Sequence, residues 1–268
     1  MTRSRIFGDK LVRQLTARHF RSAVPWIGCV LTTLLFASIS VSANPRLGLT
    51  PYNAEYKVKI SVLSGKLLTE VRRTETGFSA KSTIKPAGIM NIFLNGYIEE
   101  SSWFSVSDSG VVPDRYRSID TITSDQKEMD FQFDWNRHEV SGTIGDEHYD
   151  IPLDGPVQDR VTIQYELMYE LLNGAPADHY VMMNEEELRP IFVSNIGKKN
   201  VKVPFGKFEA VGIQHRNEDS SRVSTLWCVE ELGYLPVIIE QHRDGKLRVR
   251  AVLTEYAPVS DSAAVSND

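Results

Sequence analysis

The sequence predicts a mainly β protein: one large curved antiparallel sheet with a single main helix over its open face. Three observations predict it. Short stretches of alternating apolar and polar residues recur between positions 52 and 256, and turn-forming clusters separate them. Only the segment between Pro156 and Gly174 changes to helical spacing. No unit of about 20–50 residues repeats, which argues against a propeller or a solenoid.

The chain starts with a basic stretch (Arg3, Arg5, Lys10, Arg13, Arg18, Arg21), followed by an uncharged, mostly apolar run from Val24 to Val41. Val41-Ser42-Ala43 ends that run with small residues. This is the order of a secretory signal peptide, expected to be cleaved after Ala43 and to send the rest of the chain to the periplasm. An uncleaved anchor is the alternative, because Val24 to Ala43 is just long enough to cross a hydrocarbon core of about 30 Å. Pro25 at its entrance and Ser38, Ser40 and Ser42 at its exit weigh against that. Residues 44–257 are then expected to form a single β-rich domain, and 258–268, small and polar, a disordered tail.

Tyr52 to Val62 opens the domain. Tyr52, Ala54, Tyr56, Val58, Ile60 and Val62 fall on one face, and Asn53, Glu55, Lys57, Lys59 and Ser61 on the other, the period of a half-buried strand. Ser64-Gly65 is expected to turn the chain into Leu67–Thr76. Further strands follow at Phe78–Lys85, Ile98–Val106, Arg115–Ile122, Met129–Trp135, Glu139–Ile144 and His148–Leu153. In the helical segment Val157, Val161, Tyr165, Met168 and Leu172 step by four, four, three and four. Asp159 is placed to cap the first turn, and Gly174 in a left-handed conformation, followed by Pro176, to end the helix. Glu166 and Glu170 lie off the apolar stripe and are expected to face water. Strands resume at His179–Met183, Arg189–Ser194, Phe208–Arg216, Arg222–Val229, Leu235–His242 and Lys246–Tyr256. Asp244-Gly245 is the clearest hairpin turn. So many antiparallel strands need a sheet that curls, with the helix covering it.

Charge narrows the function. After residue 43 the chain has 24 basic and 34 acidic residues, a net charge of −10. That disfavours phosphate neutralisation, hence nucleic acid, and tight docking on anionic membranes. Cys228 is the only cysteine after position 43, so no internal disulfide forms within that part.

Catalytic motifs are lacking. No two histidines are three to five residues apart, there is no Gly-x-Ser-x-Gly elbow, and no glycine-rich phosphate loop. His148 should pair opposite Thr143 and not His138. Cys228, between Trp227 and Val229, reads as a small buried hydrophobe. Glu99-Glu100 and Glu230-Glu231 would point to opposite faces of their strands, and Glu185-Glu186-Glu187 reads as a solvated turn. No catalytic residue, metal site or cofactor is therefore expected. Pro86 to Gly96 is apolar, bracketed by glycines and without clean alternation. It reads either as a buried crossing segment or as an apolar lip, with Ile89, Met90 and Phe93 as contacts for acyl chains.

One ordered set of motifs carries a resemblance. It comprises Pro113 after a turn, Phe131-x-Phe133-Asp134, the helix led by Asp159, Val203-Pro204-Phe205-Gly206-Lys207-Phe208, Trp227, Gly233-Tyr234-Leu235-Pro236 and Asp244-Gly245. Over residues 51–257 the chain resembles a bacterial exported family catalogued as domain of unknown function 3108. The resemblance implies a half-open barrel like that of the periplasmic lipoprotein carriers, with an apolar concave face partly plugged by helix. Two positions depart from the pattern: Cys228 follows Trp227 where an aromatic is usual, and no Arg stands near Met168.

The reading that follows is a non-catalytic envelope protein that binds a lipid or a lipidated envelope component in a half-barrel. Ile89, Met90, Phe93, Tyr165, Met168 and Trp227 are the expected contacts. The alternatives are an envelope interaction protein with a filled barrel and a protein-binding rim, and, more remotely, a hydrolase with dispersed residues.

Overall fold

The computed structural model describes residues 48–60, 63–88, 96–122, 127–217 and 220–260. The signal segment, most of the stretch from Pro86 to Gly96 and residues 261–268 lie outside the described residues.

Fourteen strands join in one antiparallel sheet that does not close. They are β1 (Tyr52–Ile60), β2 (Leu63–Arg73), β3 (Phe78–Pro86), β4 (Ile98–Ser107), β5 (Gly110–Asp120), β6 (Glu128–Asp134), β7 (Glu139–Ile144), β8 (Glu147–Pro152), β9 (His179–Asn184), β10 (Glu187–Val203), β11 (Gly206–Asn217), β12 (Arg222–Val229), β13 (Leu235–Arg243) and β14 (Lys246–Pro258). The helix, α1 (Thr162–Asn173), lies between β8 and β9 in the chain. The spatial order runs β8 back to β1, then β14 back to β9. Every neighbour except β1–β14 is therefore a sequential hairpin, and the segment carrying α1 crosses from one sheet edge, β8, to the other, β9.

That crossing segment also covers an edge. The Gln158 N–H donates to the Val181 carbonyl at 2.9 Å, and the Met183 N–H to the Gln158 carbonyl at 2.8 Å. Two otherwise open groups of β9 are thereby paired, the protection an edge strand needs.

Alternation set most strand positions correctly, and the departures have local causes. The turn expected at Ser64-Gly65 moves back, because Leu63 already pairs with Ile60, and Gly65 sits inside β2 opposite Val58. A Cβ on Gly65 would lie 2.8 Å from the Lys85 carbonyl oxygen, so this glycine serves close strand approach and not a turn. Strand β5 begins at Gly110, five residues before the expected Arg115. Pro113 hides its start by interrupting the alternation, and the register shifts there, with Trp103 opposite Arg115 and Phe104 opposite Pro113. Strand β10 runs on to Val203, past a second shift between Asn195 and Lys198, where Gly197 takes φ +89°. Pro258 pairs with Tyr52, so the chain stays in the sheet beyond the expected start of the tail.

The turns follow their chemistry. Asp244 and Gly245 take φ +52° and +70°, the two left-handed residues of a tight hairpin turn. Glu185 turns the β9–β10 hairpin at φ +57°, with Glu185, Glu186 and Glu187 all exposed as expected. Glu230-Glu231, expected in a strand, instead form a short 3₁₀ turn with Leu232. Gly174 ends α1 at φ +148°, ψ −97°, a glycine-only conformation but not the left-handed helical one expected.

Candidate functional site

Helix α1 is anchored by polar groups on one flank and by apolar packing on the other. Asp159, fully buried, accepts hydrogen bonds from the N–H groups of Val161 (2.7 Å) and Thr162 (2.8 Å) through Oδ1. This is the expected first-turn cap. Its Oδ2 accepts from the Ser102 hydroxyl of β4 at 2.6 Å. Burial pushes its carboxyl up to about 6, against the pull of those hydrogen bonds.

Glu166 overturns the expected solvated face. It is 6% exposed and accepts the Val111 N–H of β5 at 2.5 Å. Burial raises its carboxyl to about 7, with the neighbouring Glu170 adding to the rise and the Val111 N–H opposing it. Gly110 makes room for it: with φ +118°, a Cβ there would sit 2.5 Å from Glu166 Oε1. Glu170 is half-buried and accepts from the Tyr180 hydroxyl. Two further bonds tie this flank to the sheet, Gln158 Nε2 to the Val111 carbonyl at 2.8 Å and the Tyr169 hydroxyl to the Ser107 carbonyl at 3.0 Å.

The opposite flank is dry. Ile163, Leu167 and Leu171 pack with Ile191, Val193, Val211, Ile213, Leu226 and Cys228. Cys228 is buried and burial pushes its thiol up to about 12, so it is an inert small hydrophobe.

Between α1, the inner faces of β2–β4 and the inner face of β11–β13 lies a groove of about 1120 Å³. Leu67, Ile84, Ile98, Leu226 and Ile239 supply apolar wall, joined by Val161 just before α1 and by Ile163, Tyr165 and Leu167 of α1. Arg160, Glu100, His215, Gln241, Arg222 and Arg243 bring polarity. Arg160 is satisfied by Glu100, Nε to Oε1 at 3.0 Å, and the same oxygen accepts from the Tyr116 hydroxyl at 2.9 Å. His215 carries no neighbouring charge that shifts it. Burial alone drives its imidazole down to about 4, so it is neutral near pH 7.

The six residues singled out from sequence separate. Tyr165 lines the groove, stacked on Phe104 at 5.3 Å between ring centroids. Met168 is buried in the core and does not line it. Trp227 lies opposite Gly212 and Ile238, on the other side of β12 from Leu226, with the Lys199 ammonium 3.4 Å from its ring centroid. Ile89, Met90 and Phe93 lie outside the described residues. The strand ends that flank them are the pair Ile84–Ile98, and both members line the groove. Sequence reading missed the wall built by β11–β13. Its alternation was legible, but which of its faces turns toward α1 was not.

Among the described residues no group of three His, Cys, Asp or Glu side chains could hold a metal ion. His148 faces Thr143 across its hairpin and pairs with Asp150 at 3.2 Å. Also among the described residues, no helix is long and apolar enough to cross a membrane.

An open antiparallel sheet of this size with one helix against it defines a β-barrel-like protein. A solved structure from Brucella abortus, a β-barrel-like protein of domain of unknown function DUF1849, is similar to it. The TM-score is 0.53 at 11% identity, over 80% of this chain and 99% of that one. A proposed exported protein with YmcC-like fold from Bacteroides fragilis matches at 12% identity over 78% of this chain and 97% of that one, with a TM-score of 0.30. Residues 51–251 match the family described as "Protein of unknown function (DUF3108)", and the chain belongs to that family. No curated protein matches the chain significantly.

Proposed function

We propose that this is a non-catalytic protein of the bacterial cell envelope that binds a lipid, or the lipid of a lipidated partner, in the groove beside α1. The groove carries this reading. Its volume of about 1120 Å³ slightly exceeds the ~300–1,000 Å³ typical of ligand pockets, and its lining combines apolar side chains of α1, β2–β4, β12 and β13 with a comparable share of polar ones. The apolar flank of α1 supports it further, because a helix held there mainly by side-chain packing, with one hydrogen bond from Tyr180 to Glu170, can repack around a guest. The basic and apolar start of the sequence supports export.

The two buried carboxylates have structural employment. Asp159 caps α1 and binds Ser102, and Glu166 holds the backbone of β5. Neither is left over for acid–base chemistry, which supports a binding role over a hydrolase. Native mass spectrometry of the protein purified from its own envelope tests the reading. A retained lipid mass that organic extraction removes is expected. Protein that emerges consistently empty, and takes up no fluorescent fatty acid, would overturn it.

A second reading, a protein-binding rim on a filled barrel, draws on the other half of the interior. There Tyr52, Phe78, Phe104 and Tyr165 occupy the space themselves, with Phe78 and Phe104 stacked at 5.7 Å.

A further inference from the structure

The inner face of β11–β13 changes character in rows. Ile213, Leu226 and Ile239 stand side by side across the three strands, and Leu226 and Ile239 line the groove. Two residues along, the row is His215, Ser224 and Gln241, neutral and polar, and all three line it. Two residues further, Arg222 and Arg243 lie directly opposite each other at the groove's rim. At about 3.4 Å per residue, about 14 Å separates the apolar row from the cationic one.

The arginine pair is costly as it stands. Like charges directly opposite across a sheet repel, and neither side chain forms an ion pair with a described carboxylate. Two of the other lining arginines are already matched, Arg160 by Glu100 and Arg189 by Glu187 at 2.5 Å. Arg216, also a lining residue, adds another cation. Among the described residues, the acids closest to this pair are Asp244, which follows Arg243 directly in the β13–β14 turn, and Glu185 of the β9–β10 turn, which lines the groove. An unmatched cationic rim is unexpected in a chain whose part after residue 43 has a net charge of −10.

We propose that the groove takes an amphiphile with an anionic, phosphate-bearing headgroup, seated between Arg222 and Arg243, and its acyl chain along Leu226, Ile239 and the α1 side chains. This deepens the lipid-binding reading and rests on it. A phosphate between two guanidiniums can accept paired hydrogen bonds from each, which turns their mutual repulsion into a shared attraction. His215, neutral near pH 7, and Gln241 supply the polar step between headgroup and chain.

The test uses purified protein and single-chain probes below their micelle concentrations. Lysophosphatidylglycerol is compared with lysophosphatidylcholine of the same chain length, and with inorganic phosphate alone, by calorimetric titration. The anionic amphiphile should bind about tenfold more tightly than the zwitterionic one, and phosphate alone should bind far more weakly than either. Arg222→Gln with Arg243→Gln should bring the anionic amphiphile down to the affinity of the zwitterionic one. Either single substitution should account for part of that loss. Lys199→Gln, on the other side of β12 from Leu226, should keep the preference, so that net charge alone is excluded as its source. The double variant should melt no lower than the parent, since it relieves a repulsion. Equal affinity for the two amphiphiles in the parent, or a preference that survives the double substitution, overturns the headgroup assignment while lipid binding stands. Phosphate bound as tightly as the anionic amphiphile makes this a free-anion site and overturns the proposal. Binding of neither amphiphile overturns the lipid-binding reading along with it.

Discussion

The two flanks of α1 meet the same sheet by different physics. Toward β4 and β5 the helix is tied by directed bonds: Asp159 to Ser102, Glu166 to the Val111 N–H, Gln158 to the Val111 carbonyl and Tyr169 to the Ser107 carbonyl. Toward β10–β12 it meets Ile191, Val193, Val211, Ile213 and Leu226 through side-chain packing. Hydrogen bonds to buried groups tolerate little displacement, because a broken one leaves an unpaired donor or acceptor. Apolar contacts tolerate a slide or a swap of partner at lower cost. The polar flank therefore sets where the helix sits, and the apolar flank is where the interior can adapt. The groove opens on the adaptable side.

Five substitutions would break or sharpen that contrast. Met168→Asp, which buries an unpaired charge in the core, should be the most damaging at about 3 kcal/mol or more, read from the urea midpoint. Asp159→Ala should follow. It strips the acceptor from Val161 and Thr162 and the partner from Ser102, and each buried donor left unsatisfied costs about 1–3 kcal/mol. If Asp159→Ala proved no worse than a surface change, the polar flank would not be what positions α1.

The third is a matter of pH. Glu166 has its carboxyl raised to about 7 in the fold, above the usual carboxylate value, so the folded protein holds a proton that the unfolded chain releases. Its contribution is fully present below the unfolded value near 4 and is lost as pH rises toward and through 7. His215 has the opposite sign. Its imidazole lies at about 4 in the fold, so its contribution is present above the unfolded value near 6.5 and is lost as pH falls toward 4. Glu166→Gln keeps an acceptor for Val111 without the charge. It should raise the melting temperature at pH 8 relative to the parent, and the gain should vanish by pH 4. A gain independent of pH would detach the effect from this carboxyl. His215→Asn should instead reduce the parent's loss of stability between pH 6.5 and 4.

The smallest expected effect is that of Lys199→Ala, which removes an exposed ammonium from the face of Trp227. A cation–π contact of this kind is worth about 0.5–1 kcal/mol. The change should leave ligand uptake untouched, since Trp227 does not line the groove.

Much of the architecture was legible along the chain because it depends on near neighbours. The alternation of Tyr52, Ala54, Tyr56 and Val58 identified β1, Glu139–Ile144 and Arg222–Val229 were delimited correctly, and Asp244-Gly245 made the expected turn. The strand ends that moved did so where a bulge or a close approach interrupts the period, at Pro113, Gly65 and Gly197. The stripe of α1 was readable too, and Tyr165 among it reaches the groove.

What remained hidden depends on partners far away in sequence. Glu166 is indistinguishable from a solvated glutamate until Gly110 and Val111, more than fifty residues earlier, are folded against it. Arg222 and Arg243 look like ordinary strand-end charges until pairing sets them side by side. A strand's period of two says that its residues divide between two faces, and nothing local says which face is inside. That choice is made by the helix, which covers one side of β10–β12 and leaves Trp227 on the other.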